Sequence, residues 1–301
     1  MKARVLSRRD SEYRTSFPIE ELEVELPGEG RSTVVCKRLD REALDEAALL
    51  AKPLFLHADE REAFVYERLL PRGPAGPPRF FGAERDADGS RLFIEWIDGR
   101  VLFEVGEREL WEEAAGWLGR FHAAFEGALR SLPVGAPLVE RDADFLRLWL
   151  VRARAFAASG RGGGAALDWL GARHEQVVEE LTAMGPTILH GEFYASNVLV
   201  AAGEAGSIRV VPVDWELAGP GPGALDLAAL VCGWPAADRE AMRRAYGRGS
   251  GRELAARDLD LARLQVAVQW LGWAPPEWEP PPGQRRDWTA EAVEIAEGLE
   301  L

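Results

Sequence analysis

Residues 190–200, HGEFYASNVLV, place a histidine, a carboxylate two positions on and an asparagine five positions after that at the head of an apolar run. These types at this spacing suit phosphoryl transfer. Glu192 can accept the proton of an attacking hydroxyl, and the neutral side-chain oxygen of Asn197 can bind magnesium. A hard cation also wants an anionic oxygen, and Asp214 offers one at the end of SIRVVPVDW. If that run returns beside NVLVAA as a hairpin, residues 197 and 214 lie side by side. A surface hairpin with polar ends explains these residues singly but not their order.

The same chemistry asks for a lysine on the phosphates and an acid to hold it. Lys37 closes the apolar run TVVCK, although a lysine at a strand end is ordinarily solvated. Glu62 supplies the partner. In HADEREAFVYERLLP, a step of about 100° per residue puts Glu62, Val65, Tyr66 and Leu69 on one stripe, with Glu60 and Glu67 opposite. A carboxylate on a buried stripe is costly unless paired, and the strand carrying Lys37 is its natural neighbour. Asp226, in GALDLAAL, opens an apolar helix, where capping the N-terminus is the plain reading.

The elements that must position these groups divide the chain. Through residue 97 it is strand-rich: ARVLSRR, FPIEELEVEL and STVVCKRL read as strands, and PGEG joins the last two as a hairpin. PRGPAGPPRF is a loop by composition, and RLFIEWIDG is a strand ending in an Asp-Gly turn. From residue 98 the pattern is mainly helical, with ELWEEAAGWLGRFHAAFEGAL and ALDWLGARHEQVVEELTAM the clearest amphipathic stretches. The glycines at 162–164 do not follow a strand and read as a flexible loop, not a phosphate cradle. WAPPEWEPPPGQRRDW is a proline-rich loop leading into a last helix.

At 301 residues and 47 % hydrophobic, the chain can bury a large core. A net charge of −14 argues against nucleic acid as a partner. The start of the chain has no apolar run long enough for a signal peptide or membrane span, so the expectations are no membrane partner and a cytoplasmic protein. Cys36 and Cys232 sit in apolar surroundings, as reduced, buried thiols do. Four histidines, none at ligand spacing to a cysteine, make a zinc site a poor expectation.

ILHGEFYASNVLV, VPVDWELAGPGPGALDLAAL, and VVCK with REAFVYERLL upstream together resemble the aminoglycoside phosphotransferase and choline kinase family. The resemblance runs along essentially the whole chain; its central block is specific, and its N-terminal part rests mostly on order. It implies an α+β, two-lobed protein-kinase-like fold. Residues 1–97 would form a nucleotide-binding lobe of antiparallel sheet with one helix. Residues 98–301 would form a larger, mainly helical lobe with the catalytic loop and acceptor site. By the resemblance, Lys37 and Glu62 form the phosphate-side ion pair, and Asn197 and Asp214 bind Mg²⁺. Glu192 takes the catalytic-carboxylate position, with His190 in the catalytic loop and, like Asp226, supporting it. The backbone of Glu95, Trp96 and Ile97 meets adenine.

Two departures stand out. Gly28 and Gly30 belong to a hairpin turn, so the phosphate loop would be RDSEYRTS, which lacks glycine and would use Ser11, Thr15, Ser16 and backbone N–H groups. Glu192 stands where the family has aspartate; the extra methylene moves the carboxylate by roughly 1.5 Å, and misplacement on that scale can cost about a hundredfold in rate in a site built for aspartate. A pocket shaped for glutamate avoids the loss. Glu216, Trp234, Trp270, Trp273 and Trp278 are candidates to line the acceptor site and would suit a cationic ligand, while the alternative puts the tryptophans in the core. The functional expectation is an enzyme moving the γ-phosphate of ATP, or of GTP in its place, to a small-molecule hydroxyl. The alternatives are a kinase acting on Ser or Thr of a peptide, and an inactive nucleotide-binding scaffold.

Overall fold

The computed structural model describes residues 3–12, 16–87, 89–161, 163–279 and 285–301. The β-branched and alternating runs at the N-terminus form β1 (Arg4–Asp10), β2 (Ile19–Leu26) and β3 (Gly30–Arg38). Gly28 and Gly30, at φ 86° and 83°, turn the chain between the last two, a conformation glycine adopts without penalty. With β4 (Phe80–Asp86) and β5 (Gly89–Glu95), they make an antiparallel sheet in the order β1-β2-β3-β5-β4. The period of two sorts β3: Val34 and Cys36 pack with Leu22, Val24 and Leu26 on the outer face, and Val35 and Lys37 turn the other way.

Between β3 and β4 lie the short helix α1 (Glu46–Ala51) and the stretch expected at 57–71. That stretch is helical from Arg61 as α2 (Arg61–Phe64) and continues through a π-helical turn over Val65–Leu69. Its stripe is buried as the periodicity requires, with Glu62, Val65, Tyr66 and Leu69 each no more than 2 % exposed. β4 departs from the sequence reading, which had no strand there. Its FFGAERD is charged, interrupted by Gly82 and half-exposed on the sheet edge, so the alternation that marks a strand is weak.

The chain leaves the five-stranded sheet after β5, and β6 (Gly99–Val101) already pairs with β8 (Val198–Ala202), which pairs in turn with β9 (Ile208–Pro212). β7 (Pro186–Leu189) pairs with β10 (Gly219–Pro222). Around these strands pack α3 (Arg108–Phe125), α4 (Ala143–Phe156), α5 (Gly164–Gly171), α6 (His174–Ala183), α7 (Ala224–Leu230), α8 (Ala236–Ser250), α9 (Ala256–Trp273) and α10 (Trp288–Gly298). ALDWLGARHEQVVEELTAM is two helices, α5 and α6, with a break at Ala172–Arg173. α3 and α8 cross closely because Gly116 and Gly119 face Ala245, Tyr246 and Gly249. One hydrophobic core runs from Leu39 and Leu92 through Trp149, Phe121 and Trp215 to Ile295. Among the described residues no helix is long and apolar enough to cross a membrane.

Two arginines tie the sheet-side elements to the helical part. Arg61, 5 % exposed, donates to the carbonyls of Leu56 (2.6 Å), Pro137 (2.5 Å) and Glu216 (2.6 Å). Arg209 on β9 donates to the carbonyls of Gly76 and Pro77 and grips the Glu95 carboxylate through both oxygens, at 3.0 and 2.8 Å.

Candidate active site

Lys37 sits on the inner face of β3, held in register by Ile19 on one side and Leu92 on the other. Its Nζ lies 2.7 Å from Glu62 Oε2 and 2.5 Å from Asp214 Oδ1. Burial would lower the pKa of this ammonium, but the two carboxylates outweigh it and hold the group charged. Glu62 also accepts the backbone N–H of Trp215 through Oε1, at 3.2 Å. One glutamate on a helix thus fixes both the lysine and the backbone that carries Asp214.

Asp214 follows β9 at φ 67°. A non-glycine residue in this left-handed region costs about 1–3 kcal/mol and persists where its surroundings over-determine it. Here Val213 N–H donates to Asn197 O at 2.9 Å on one side and Glu62 holds Trp215 on the other. Burial works to raise the Asp214 pKa, but Lys37 and Lys52 pull it below the usual carboxylate range, so the group is anionic. Asn197 donates through Nδ2 to Glu192 O at 3.0 Å, leaving its Oδ1 to accept. One carboxylate, one amide oxygen and the phosphate oxygens of a nucleotide are the donors magnesium uses in such sites, so this pair fits that cation. Among the described residues no cluster of three or more His, Cys, Asp or Glu could hold a metal by itself.

The loop bearing Glu192 is braced from below. Asp226, 1 % exposed, accepts the backbone N–H of His190 at 2.6 Å and of Gly191 at 2.9 Å, and meets His122 Nε2 at 3.2 Å. It lies within α7 and caps nothing, which corrects the capping expectation: its partners are 35 and 36 residues away. Gly191 has φ 92°, and a Cβ there would meet Arg141 Nη2 and Leu217 O at 2.3 Å. Only glycine fits between the brace and that neighbour. His190 is fully buried, its Nε2 on Val213 O at 2.9 Å and its Nδ1 accepting from Glu192 N–H at 3.3 Å. Both ring nitrogens are engaged and burial lowers the pKa of the ring, so His190 is a neutral prop within the catalytic loop.

Glu192 is half-buried above this brace. Burial, then the nearby charge of Glu216, pushes its pKa up to about 8, near the operating pH of a proton acceptor. Glu216 is not free: Lys52, which follows α1, forms an ion pair with it. Lys52 was not anticipated, and the signal that would have found it is the scarcity of lysine in the chain.

A cleft of about 200 Å³ opens beside Lys37, between the five-stranded sheet and the β8–β9 hairpin. Ser11, Glu95, Trp96, Ile97, Asn197 and Asp214 contribute to its wall, with Ile19, Val35, Ile94 and Leu199 apolar among them. Ser11 Oγ donates to Glu21 at 2.9 Å. Ser16 is half-buried in the bend before β2 and does not line the cleft; Thr15 lies outside the described residues. The Glu95 side chain is spent on Arg209, leaving its backbone at the cleft edge.

The tryptophans divide. Trp273, 9 % exposed, stacks on Trp149 at 5.5 Å, and Trp234 packs edge-on to Trp111 at 5.0 Å, so core packing accounts for both, against the acceptor-lining expectation. Trp270 donates to Tyr194 Oη at 2.8 Å and stacks on Trp288, and Trp278 packs on the core, partly buried.

The family model for the phosphotransferase enzyme family, APH, matches residues 28–264. No curated protein matches the chain by sequence. Among solved structures, APH(2″)-IIIa in complex with GDP and kanamycin is similar at 13 % identity and TM-score 0.60, covering 99 % of this chain and 94 % of that one. Choline kinase from Cryptosporidium parvum Iowa II aligns at 11 % identity and TM-score 0.59, over 98 % and 88 %. A macrolide 2′-phosphotransferase from Brachybacterium faecium aligns at 17 % identity and TM-score 0.57, over 96 % and 91 %. At these identities the structures establish a shared fold.

Proposed function

Because the chain belongs to the phosphotransferase enzyme family and is a phosphotransferase acting on hydroxyl groups, we propose that it is a small-molecule kinase using Glu192 as proton acceptor. The donor is ATP, or GTP in its place; the complex of a fold neighbour with GDP supports a nucleotide in the cleft. One observation carries the reading: Lys37, Glu62, Asn197 and Asp214, drawn from four separate elements, converge on one cleft, and Asn197 ties the backbone of Glu192 to it.

In the proposed reaction the acceptor hydroxyl oxygen bonds to the γ-phosphorus as the bond to the β–γ bridging oxygen breaks. The hydroxyl proton passes to Glu192, and the electron pair departs on the nucleoside diphosphate. Lys37 holds the phosphates of the leaving group. Asp214 and Asn197 would hold magnesium, which supplies charge neutralisation along the phosphates when bound. Glutamate serves here in place of aspartate on a fixed main chain: Asp226 holds the N–H groups of His190 and Gly191, and Asn197 binds the Glu192 carbonyl. Without nucleotide, Glu216 is paired with Lys52. The acceptor class is small hydroxyl compounds.

The test is nucleotide binding followed by turnover. Saturating nucleotide with Mg²⁺, at about 100 times its Kd, should stabilise the wild type by about 2.7 kcal/mol, and Asp214→Ala should abolish this. A panel of sugars, aminoalcohols, aminoglycosides, macrolides and a Ser/Thr peptide should contain a small-molecule substrate whose phosphorylation is lost in Glu192→Gln. Stabilisation by no nucleotide would sink the reading. Transfer to the peptide alone would replace it with a protein kinase, and binding without turnover on any acceptor with an inactive scaffold.

A further inference from the structure

Of the 36 basic residues in the chain only three are lysines, Lys2, Lys37 and Lys52, and the rest are arginines. Two of the three are at the phosphoryl-transfer centre. Arginine brings a flat, preorganised fork and lysine a compact ammonium on a flexible stem. A chain that uses arginine almost everywhere keeps lysine where a small, mobile charge is needed.

The backbone of Lys52 is fixed. Its N–H closes α1 on Ala48 O at 2.9 Å, its carbonyl accepts from Arg41, and Pro53 follows. The side chain, 20 % exposed, reaches inward to Glu216. Its ammonium lies 4.9 Å from the centre of the Phe17 ring, and that of Lys37 lies 5.6 Å from the same ring. Phe17, 2 % exposed, thus has both ammonium groups beside it. Lys52 is also close enough to act on the charges of Asp214 and Glu192, the carboxylates assigned to the cation and to the acceptor. Its static partner does not explain it, since a buried ion pair adds little to stability over an apolar pair of similar size.

We propose that Lys52 is a second phosphate-directed ammonium, which leaves Glu216 when nucleotide binds and takes the oxygens of the γ-phosphoryl group as that group passes to the acceptor. This rests on the phosphotransferase reading above. Charge in that transition state spreads over the three equatorial oxygens, and a cation in a water-poor site is worth far more there than in water. Lys52 keeps its protons throughout and supplies charge only. Lys37 stays on the phosphates that depart, so the two lysines divide the nucleotide between them.

The experiment compares binding of Mg²⁺·ADP alone with binding of Mg²⁺·ADP plus aluminium fluoride, a planar stand-in for the phosphoryl group in flight. Wild type should bind the fluoride complex about a hundredfold more tightly than ADP alone, as transition-state mimics do. Lys52→Met should bind ADP within about threefold of wild type and lose most of that tightening. The double variant Lys52→Met/Glu216→Gln removes the anion left behind, so it guards against a folding defect, and should show the same loss. Full tightening in Lys52→Met overturns the proposal, as does tightening regained in the double variant, which would leave Lys52 a mere partner of Glu216. Wild type that binds ADP with no tightening overturns it too. Wild type that binds neither ADP nor GDP overturns the kinase reading itself; if only GDP binds, the same comparison is run with it.

Discussion

Asp226→Asn isolates the brace beneath the catalytic loop, since it keeps the shape and removes the charge. The carboxylate takes three hydrogen bonds, from His190 N–H, Gly191 N–H and His122 Nε2. Burial alone would raise its pKa, but His122 and the Gly191 N–H hold it below the usual range, so the anion is the native form. Bonds to a charged group contribute about 1.5–3 kcal/mol each, and a buried donor left without a partner costs about 1–3 kcal/mol. Asparagine retains one carbonyl oxygen and turns its NH₂ toward a second donor, so one backbone N–H loses its acceptor and faces a like dipole. The expected loss is therefore about 2–4 kcal/mol, with turnover falling as Glu192 loses its seat. Urea denaturation at pH 7 measures the first and a phosphoryl-transfer assay the second. An asparagine variant within about 0.5 kcal/mol of wild type would refute the argument, because the loop N–H groups could not then depend on this carboxylate.

Gly119→Ala adds a Cβ that would lie 2.2 Å from Tyr246 O and 2.8 Å from Ser250 N. The overpacking cost of about 1–3 kcal/mol should exceed the helix-propensity gain of about 1 kcal/mol, whereas Gly106→Ala, which meets nothing within 4 Å, should stay near wild type; equal melting temperatures would contradict this. Burial pushes the thiols of Cys36 and Cys232 up to about 11, leaving roughly one thiolate per thousand at pH 8. Iodoacetamide should therefore label neither in the native state on the timescale on which both react in urea. His174 is buried and its pKa is lowered by that burial. Below the unfolded value of about 6.5 the unfolded chain takes up the proton more readily than the fold does, so its share of stability falls as pH falls. Between pH 7.5 and 5.5 wild type should lose stability relative to His174→Gln; a pH-independent difference would be the contrary result.

The parts of the site legible in the sequence are those whose partners lie on regular elements. Glu62 declared itself because helix periodicity placed a carboxylate on an apolar stripe, and the hairpin of β8 and β9 set Asn197 beside the chain leading to Asp214. Arg61 stayed hidden because it binds carbonyls, which every residue offers. Lys52 stayed hidden because its partner is 164 positions away and no pattern joins the two. Asp226 was seen, but local rules offered a cap where the fold uses a brace. β4 escaped because an edge strand can be charged and still pair. The tryptophan cluster reads alike in sequence whether its rings face a ligand or each other, and only the stacking of Trp149 on Trp273 separates the cases.

The two carboxylates of the centre differ in how far a lineage, or an engineer, can wander from them. At 214 the positive φ admits aspartate, asparagine and glycine readily and longer or branched side chains poorly. Of those three only aspartate carries an anion, so the backbone itself censors the alternatives. At 192 the backbone imposes no such filter; what the proposed reaction needs there is a carboxylate, which aspartate or glutamate can supply. A library built on this scaffold should therefore hold position 214 constant, keep an acid at 192, and spend its diversity on the residues above it.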